Sequence, residues 1–183
     1  MVEIIGKVTE KTVHQHIDPV FLKARSEWED LEQRYGKLKF SKFILAYIIE
    51  WNETFNQKLM RIKKETGLPV VSINIGNLKK ICADQIIYDA SPNEFLYLLH
   101  KCDMMVATSF HGVAMSIVYN KPFLALAGSK MPTRIQSLMR HFQIDASDCM
   151  RYGYSDFERI NEIIAADQAA AREYIRGAVE DGP

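Results

Sequence analysis

The chain has 183 residues, of which 48% are hydrophobic and 25% charged, the composition of an ordinary globular domain with one core. Lysine plus arginine and aspartate plus glutamate each number 23, so the formal net charge is zero and no broad positive field attracts nucleic acid or an anionic membrane. The three cysteines, Cys82, Cys102 and Cys149, have neither the even count of a disulfide framework nor the close spacing of a zinc site.

The beginning of the chain carries little pattern. Residues 1–17 are predicted to form an edge strand over Val2–Val8 or a remnant of an interdomain connection, and residues 18–183 a single domain. The first residues have no apolar run long enough for a signal peptide, and no apolar run approaches the roughly 20 residues of a membrane span, so we expect a cytoplasmic protein with no transmembrane segment. His14 and His16 lack a third ligand at useful spacing, so we expect no metal and no cofactor.

The first predicted elements are a short helix, followed along the chain by a strand, a helix and a second strand. The capping box Ser26-Glu-Trp-Glu29 predicts a helix that runs to about Tyr35. The apolar run 43–49 predicts a central parallel strand, and a helix over 53–66 separates it from a second strand over 70–75. This order is typical of a right-handed β-α-β unit.

Further elements alternate in the same way. They are a strand at 86–88, a helix from the capping box Ser91-Pro-Asn-Glu94 to Lys101, a strand at 104–107, a helix at 113–119, a strand at 123–127, a helix from the capping box at Thr133 to Phe142, and a terminal helical region that Ser155-Asp-Phe-Glu158 opens. The pattern predicts a Rossmann-like three-layer α/β/α sandwich around a mainly parallel sheet.

The turn Ser109-Phe-His-Gly112 lies between a buried strand and a helix, where open α/β sheets bind anions. His111 is suited to act there as a general acid or a phosphate ligand, and the alternative is a turn residue whose ring bonds a backbone carbonyl. Ser109 is a ligand of an anion or a helix cap. Gly112 permits close approach of ligand or sheet, or only serves the turn.

Four segments in order carry a family resemblance. They are Asp18-Pro-Val-Phe-Leu-Lys-Ala-Arg-Ser-Glu-Trp28, Ser109-Phe-His-Gly112, Asn120-Lys-Pro-Phe123 and Thr133-Arg-Ile-Gln-Ser-Leu138. Between Asp18 and Arg151 the chain resembles the carboxyl-terminal half of a polysaccharide pyruvyl transferase. The resemblance implies one of the two Rossmann-like lobes of a glycosyltransferase-B architecture. It also implies transfer of the enolpyruvyl unit of phosphoenolpyruvate, as a ketal, to a sugar or lipid-linked glycan of a bacterial surface or exopolysaccharide.

The resemblance also implies roles for particular residues. His111 would be catalytic, and the donor would be bound by Ser109, Gly112, Arg134, Lys130 and Arg151. Without the family, an arginine at a helix start and a lysine in a loop are ordinary solvated charges. Asp18 before Pro19 fixes a turn or caps a helix, with an interdomain or acceptor contact as the alternative.

Alternatives stay open on the role of the chain. Only 17 residues precede Asp18, where the family has another lobe, so we expect an excised domain, a natural truncation or half of a split enzyme, completed by a second lobe or a homo-oligomer. A nucleotide-sugar glycosyltransferase donor domain would need an acidic residue for a ribose, and region 107–134 has none. A non-catalytic module that binds a glycan or a partner chain is the third alternative.

Overall fold

The structure, a computed structural model, describes residues 8–9, 16–49, 53–74, 81–126, 133–145 and 154–180. The predicted edge strand over Val2–Val8 lies outside these ranges apart from Val8, where the backbone turns.

The sheet among the described residues has five strands, all parallel. The strands are β1 (Ile44–Ile48), β2 (Val70–Asn74), β3 (Gln85–Ile87), β4 (Met104–Ala107) and β5 (Phe123–Ala125). Their order in the sheet is β3-β2-β1-β4-β5, so the chain builds outward from β1 on one side and then returns to build outward on the other. The predicted parallel α/β class is confirmed, and each predicted strand end lies within two residues of the observed one.

Two apolar cores cover the two faces of the sheet. Successive side chains of a strand point to opposite faces, so Leu45 of β1 packs in one core while Ile44 and Ala46 pack in the other. All three are fully buried. A strand covered on both faces reads as an unbroken apolar run, which is why β1 is recognisable from the sequence.

Helices lie on both faces and complete three layers. They are α1 (Arg25–Glu29), α2 (Glu53–Thr66), α3 (Pro92–Lys101), α4 (Phe110–Val118), α5 (Thr133–His141) and α6 (Glu158–Glu180), with a short 3-10 helix at Pro19–Phe21. Phe55 and Leu59 of α2 pack in the core that contains Ile44. The buried side chains of α3, α4 and α5 pack in the core that contains Leu45. The three-layer sandwich is therefore observed as predicted.

The first helix is shorter than predicted. Helix α1 ends at Glu29 and does not reach Tyr35. The N–H of Gln33 donates to the carbonyl of Asn93 at 3.1 Å, so the chain leaves the helical path to bond with the start of α3. At its other end, the Glu27 carboxylate accepts from the N–H of Ala24 at 2.7 Å, so the cap lies two residues before the predicted one at Ser26.

The starts of three later helices also differ from prediction. Helix α4 begins at Phe110 and not at Val113, because the Ser109 side chain caps it. Helix α5 has already begun at Thr133, which was predicted as its cap, and α6 begins at Glu158, three residues after Ser155. Within the described ranges, no helix combines the length and apolarity needed to cross a membrane.

The capping box at Ser91 allows a test of what stabilises the start of α3. The Ser91 hydroxyl accepts from the N–H of Glu94 at 3.3 Å, and the Glu94 carboxylate accepts from the N–H of Ser91 at 2.8 Å. We expect Ser91→Ala to lower the free energy of unfolding by about 1 kcal/mol, measured by urea denaturation. Ser26→Ala is the matched control, because Ser26 is exposed inside α1 and caps nothing. Equal losses in both variants would contradict this role for the box.

Candidate functional site

The order of the strands reverses between β1 and β4. Helix α2 follows β1 on one face and α4 follows β4 on the other, so the chain segments diverge beyond the carboxyl ends of these two strands. Open α/β sheets bind ligands in the crevice at such a switch point. Thr108 closes the base of this crevice: its N–H donates to the carbonyl of Tyr47 at 3.2 Å, and its Oγ1 accepts from the N–H of Ile49 at 3.0 Å.

Helix α4 starts directly above this point. The buried Ser109 is its N-cap, and the Ser109 Oγ accepts from the N–H of Gly112 at 3.5 Å. Ser109 therefore occupies the capping role that was one of its two predicted roles, and anion binding by its hydroxyl stays a prediction. The N–H groups of Phe110 and His111 lie in the first turn, where helices have no intrahelical acceptor and the dipole is positive. This end of α4 has the local character of an anion site.

His111 lies in that first turn, with an exposed side chain. Its ring meets the ring of Phe110 edge-on, with centroids 5.3 Å apart and an interplanar angle of 80°. Among the described residues, the structure gives the ring no bond to a backbone carbonyl, which was the structural alternative. The His111 side chain is therefore exposed at the start of α4, beside the crevice.

Arg134 reaches the same place from α5. Its guanidinium carbon lies 4.0 Å from the centroid of the Phe110 ring, a cation–π contact, and its Nη2 lies 3.5 Å from Oδ2 of Asp18. The Asp18 Oδ1 accepts from the N–H of Val20 at 3.2 Å, so Asp18 also caps the 3-10 helix as predicted. The structure thus brings Arg134 and His111 to one aromatic ring, although 23 positions separate them in the sequence.

Gly112 lets α4 sit directly on the sheet. A Cβ at this position would lie 2.8 Å from Cβ of Ala107 and 3.1 Å from Cδ1 of Tyr47. The first of these distances is shorter than side chains tolerate, and neither neighbour is a flexible tip. The glycine therefore serves close approach of helix and sheet, one of its predicted uses, and its contact with a ligand stays a prediction.

Four residues of the site were not predicted as part of it. Tyr47 and Thr108 form the base of the crevice, and Phe110 and Asp18 hold Arg134. Burial raises the pKa of the Tyr47 phenol, so it stays protonated at neutral pH. A polar residue directly after a buried apolar run is a usable sequence signal, and Thr108 carries it, whereas Tyr47 lies inside its apolar run.

The remaining predicted site residues cannot be placed in this geometry. Lys130 and Arg151 lie outside the described residues, so their donor-binding roles stay predictions. Within the described ranges, no three or more His, Cys, Asp and Glu side chains are grouped to hold a metal ion.

A comparison with known protein families shows to which family the chain belongs. The profile of the polysaccharide pyruvyl transferase family matches residues 6–130, which is 125 of the 183 residues and includes β1 to β5 and His111. The chain belongs to the polysaccharide pyruvyl transferase family. The family match confirms the resemblance expected from the sequence, and it ends before Arg134 and Arg151.

Searches of single proteins give fold-level likeness. The chain is similar to UDP-GlcNAc 2-epimerase from Neisseria meningitidis bound to UDP-GlcNAc, with 14% identity, 82% of this chain and 49% of that chain covered, and a TM-score of 0.45. It is also similar to a putative UDP-N-acetylglucosamine 2-epimerase from Listeria monocytogenes, with 12% identity, coverages of 100% and 53%, and a TM-score of 0.43. The chain thus spans about half the length of these proteins. No curated protein matches it.

The contact at Gly112 is directly testable. We expect Gly112→Ala to lower the free energy of unfolding by about 1–3 kcal/mol, because the new methyl group overpacks the interface with Ala107 and Tyr47. Urea denaturation measures the change. Gly36→Ala is the matched control, since a Cβ there would have nothing within 4 Å. A Gly112→Ala variant as stable as the control would show that α4 has room to move off the sheet.

Proposed function

We propose that the chain is the donor-binding domain of a ketal-forming pyruvyl transferase. It would hold phosphoenolpyruvate while the pyruvyl unit passes to a pair of hydroxyls on a sugar of a bacterial surface or exopolysaccharide. Membership in the family supports the reaction class. The observation that carries the donor role is the meeting of His111 and Arg134 at the Phe110 ring, above the switch point of the sheet.

The reaction sets clear demands on the site. A proton adds to the methylene carbon of phosphoenolpyruvate, which becomes a methyl group, and the neighbouring carbon becomes cationic. One sugar hydroxyl attacks that carbon, inorganic phosphate leaves, and the second hydroxyl closes the ketal. Of the two hydroxyl protons released, one balances the proton taken up by carbon and the other leaves with phosphate. The site must supply cations for two anionic groups, a proton donor and a base.

The residues at the crevice supply candidates for the cations and for the proton donor. The first-turn N–H groups of α4 suit the phosphate, and Arg134 can bind a carboxylate or a phosphate through two parallel donors. His111 is the proposed general acid or phosphate ligand. Lys130 and Arg151 are proposed as further cations, and Ser109 and Gly112 as donor contacts.

The acceptor is proposed to bind outside this chain. A sugar or lipid-linked glycan presents its hydroxyls to the donor carbon, so it must approach the open side of the crevice. A second lobe or a further copy of the chain would provide that surface, with the reaction in the cytoplasm.

Calorimetric titration with phosphoenolpyruvate tests the donor role. We expect the wild type to bind and both His111→Ala and Arg134→Ala to weaken binding about tenfold or more, because each removes a hydrogen bond to a charged group. Arg140→Ala is the matched control, since Arg140 is an exposed arginine on the same helix. It should bind as the wild type does.

The ligands in that experiment separate the alternatives. Inorganic phosphate should bind more weakly than phosphoenolpyruvate, since it lacks the carboxylate. A preference for a nucleotide sugar would support the glycosyltransferase alternative and refute the proposal. No binding of phosphoenolpyruvate by the wild type would point to the non-catalytic module.

The ion pair of Asp18 gives a second expectation. Its carboxylate lies 3.5 Å from Arg134 and competes with an incoming anion for the guanidinium. Exposed ion pairs contribute up to about 1 kcal/mol, so Asp18→Asn should tighten phosphoenolpyruvate binding by less than about fivefold. Asparagine keeps an oxygen to accept from Val20, so the cap of the 3-10 helix survives. Weaker binding by Asp18→Asn in the same titration would mean that the carboxylate holds Arg134 in place for the donor.

A further inference from the structure

Phe110 contacts both Arg134 and His111 of the proposed site. The guanidinium carbon of Arg134 lies 4.0 Å from its ring centroid, and the His111 ring meets it edge-on at 5.3 Å. We propose that Phe110 is a positioning residue, whose aromatic face holds the Arg134 guanidinium at a fixed place beside His111. This inference rests on the proposed function of the site as a donor-binding site.

Arg134 needs such a restraint. Its side chain is 58% exposed, and its ion pair with Asp18 is long at 3.5 Å. An exposed arginine without fixed partners samples many rotamers and loses that freedom when it binds a ligand. Stacking on an aromatic face removes part of this freedom before the ligand arrives. It also leaves the in-plane N–H donors at the edge of the guanidinium, which are the donors that bind a carboxylate or a phosphate.

Phe110 is itself well anchored. It is the first residue of α4, which the Ser109 side chain caps, and its half-buried ring packs against the core that contains Leu45. Arg134 stands on α5, whose buried Ile135 and Leu138 pack in the same core. The ring therefore contacts both helices at the crevice, and it lies next in the chain to His111. One side chain thus sets the relative placement of the cation and the imidazole.

An ordinary packing role makes a different prediction from a positioning role. If Phe110 only fills space, a compact apolar side chain should serve nearly as well as an aromatic one. If the aromatic face holds Arg134, tyrosine should preserve function and leucine should not. The effect of leucine should also vanish once Arg134 is removed, because nothing is then left to position.

The experiment is a double-mutant cycle on phosphoenolpyruvate affinity. Calorimetry compares the wild type, Phe110→Leu, Phe110→Tyr, Arg134→Ala and the Phe110→Leu/Arg134→Ala double variant. We expect Phe110→Leu to weaken binding about three- to tenfold, and Phe110→Tyr to stay within about twofold of the wild type. The double variant should bind as Arg134→Ala does. Phe110→Met replaces the leucine variant if the latter fails to fold.

Several results would overturn the inference. If Arg134→Ala weakens binding but Phe110→Leu does not, the positioning role falls and the donor-binding function stands. If Phe110→Leu costs as much without Arg134 as with it, or if tyrosine fails to rescue, Phe110 acts through packing alone. If the wild type does not bind phosphoenolpyruvate, the proposed function is refuted, and the inference that rests on it is refuted as well.

Discussion

The candidate site depends on the close approach of α4 to the two central strands. Gly112 permits this approach, because any side chain there would collide with Ala107 and Tyr47. The approach sets the height of the helix start above the carboxyl edge of the sheet, and with it the place of Phe110 and His111. Thr108 ties the ends of the same two strands together, so strands, helix and crevice form one rigid unit. Arg134 contacts the Phe110 ring of that unit, and this contact places it in the candidate site.

In the proposed site, the backbone and the side chains would bind the donor in different ways. Main-chain donors at the start of α4 are general anion ligands, because they recognise charge and not the shape of a particular donor. In the proposed site, the side chains on α4 and α5 would recognise the shape of the ligand, because they present an imidazole with two nitrogens and a planar guanidinium with parallel donors. The family match covers the strands, α4 and His111, while the arginine on α5 lies beyond it.

Local patterns explain what the sequence predicted well. The buried strands are short apolar runs, and the Ser91 box satisfies two N–H groups within four residues, so both can be recognised without knowledge of the fold. The end of α1 could not be recognised, because it depends on a bond between Gln33 and Asn93, 60 positions apart. The pairing of Arg134 with Asp18 spans 116 positions and the contact with Phe110 is also tertiary, so candidate residues could be named from the sequence while their meeting point could not.

The Ser109 hydroxyl, which caps α4, has a consequence for how such a site changes during evolution. An anion at the helix start would meet peptide N–H groups, which side-chain substitutions leave in place, together with the Ser109 hydroxyl, whose oxygen accepts from the N–H of Gly112. The affinity for negatively charged groups would then persist while the sequence drifts. A change of preferred donor would have to come from position 134 and the exposed surface around it, where replacements leave the core untouched. In the proposed site, the backbone would thus set the affinity for anions, and side chains at the surface would set which anion is preferred.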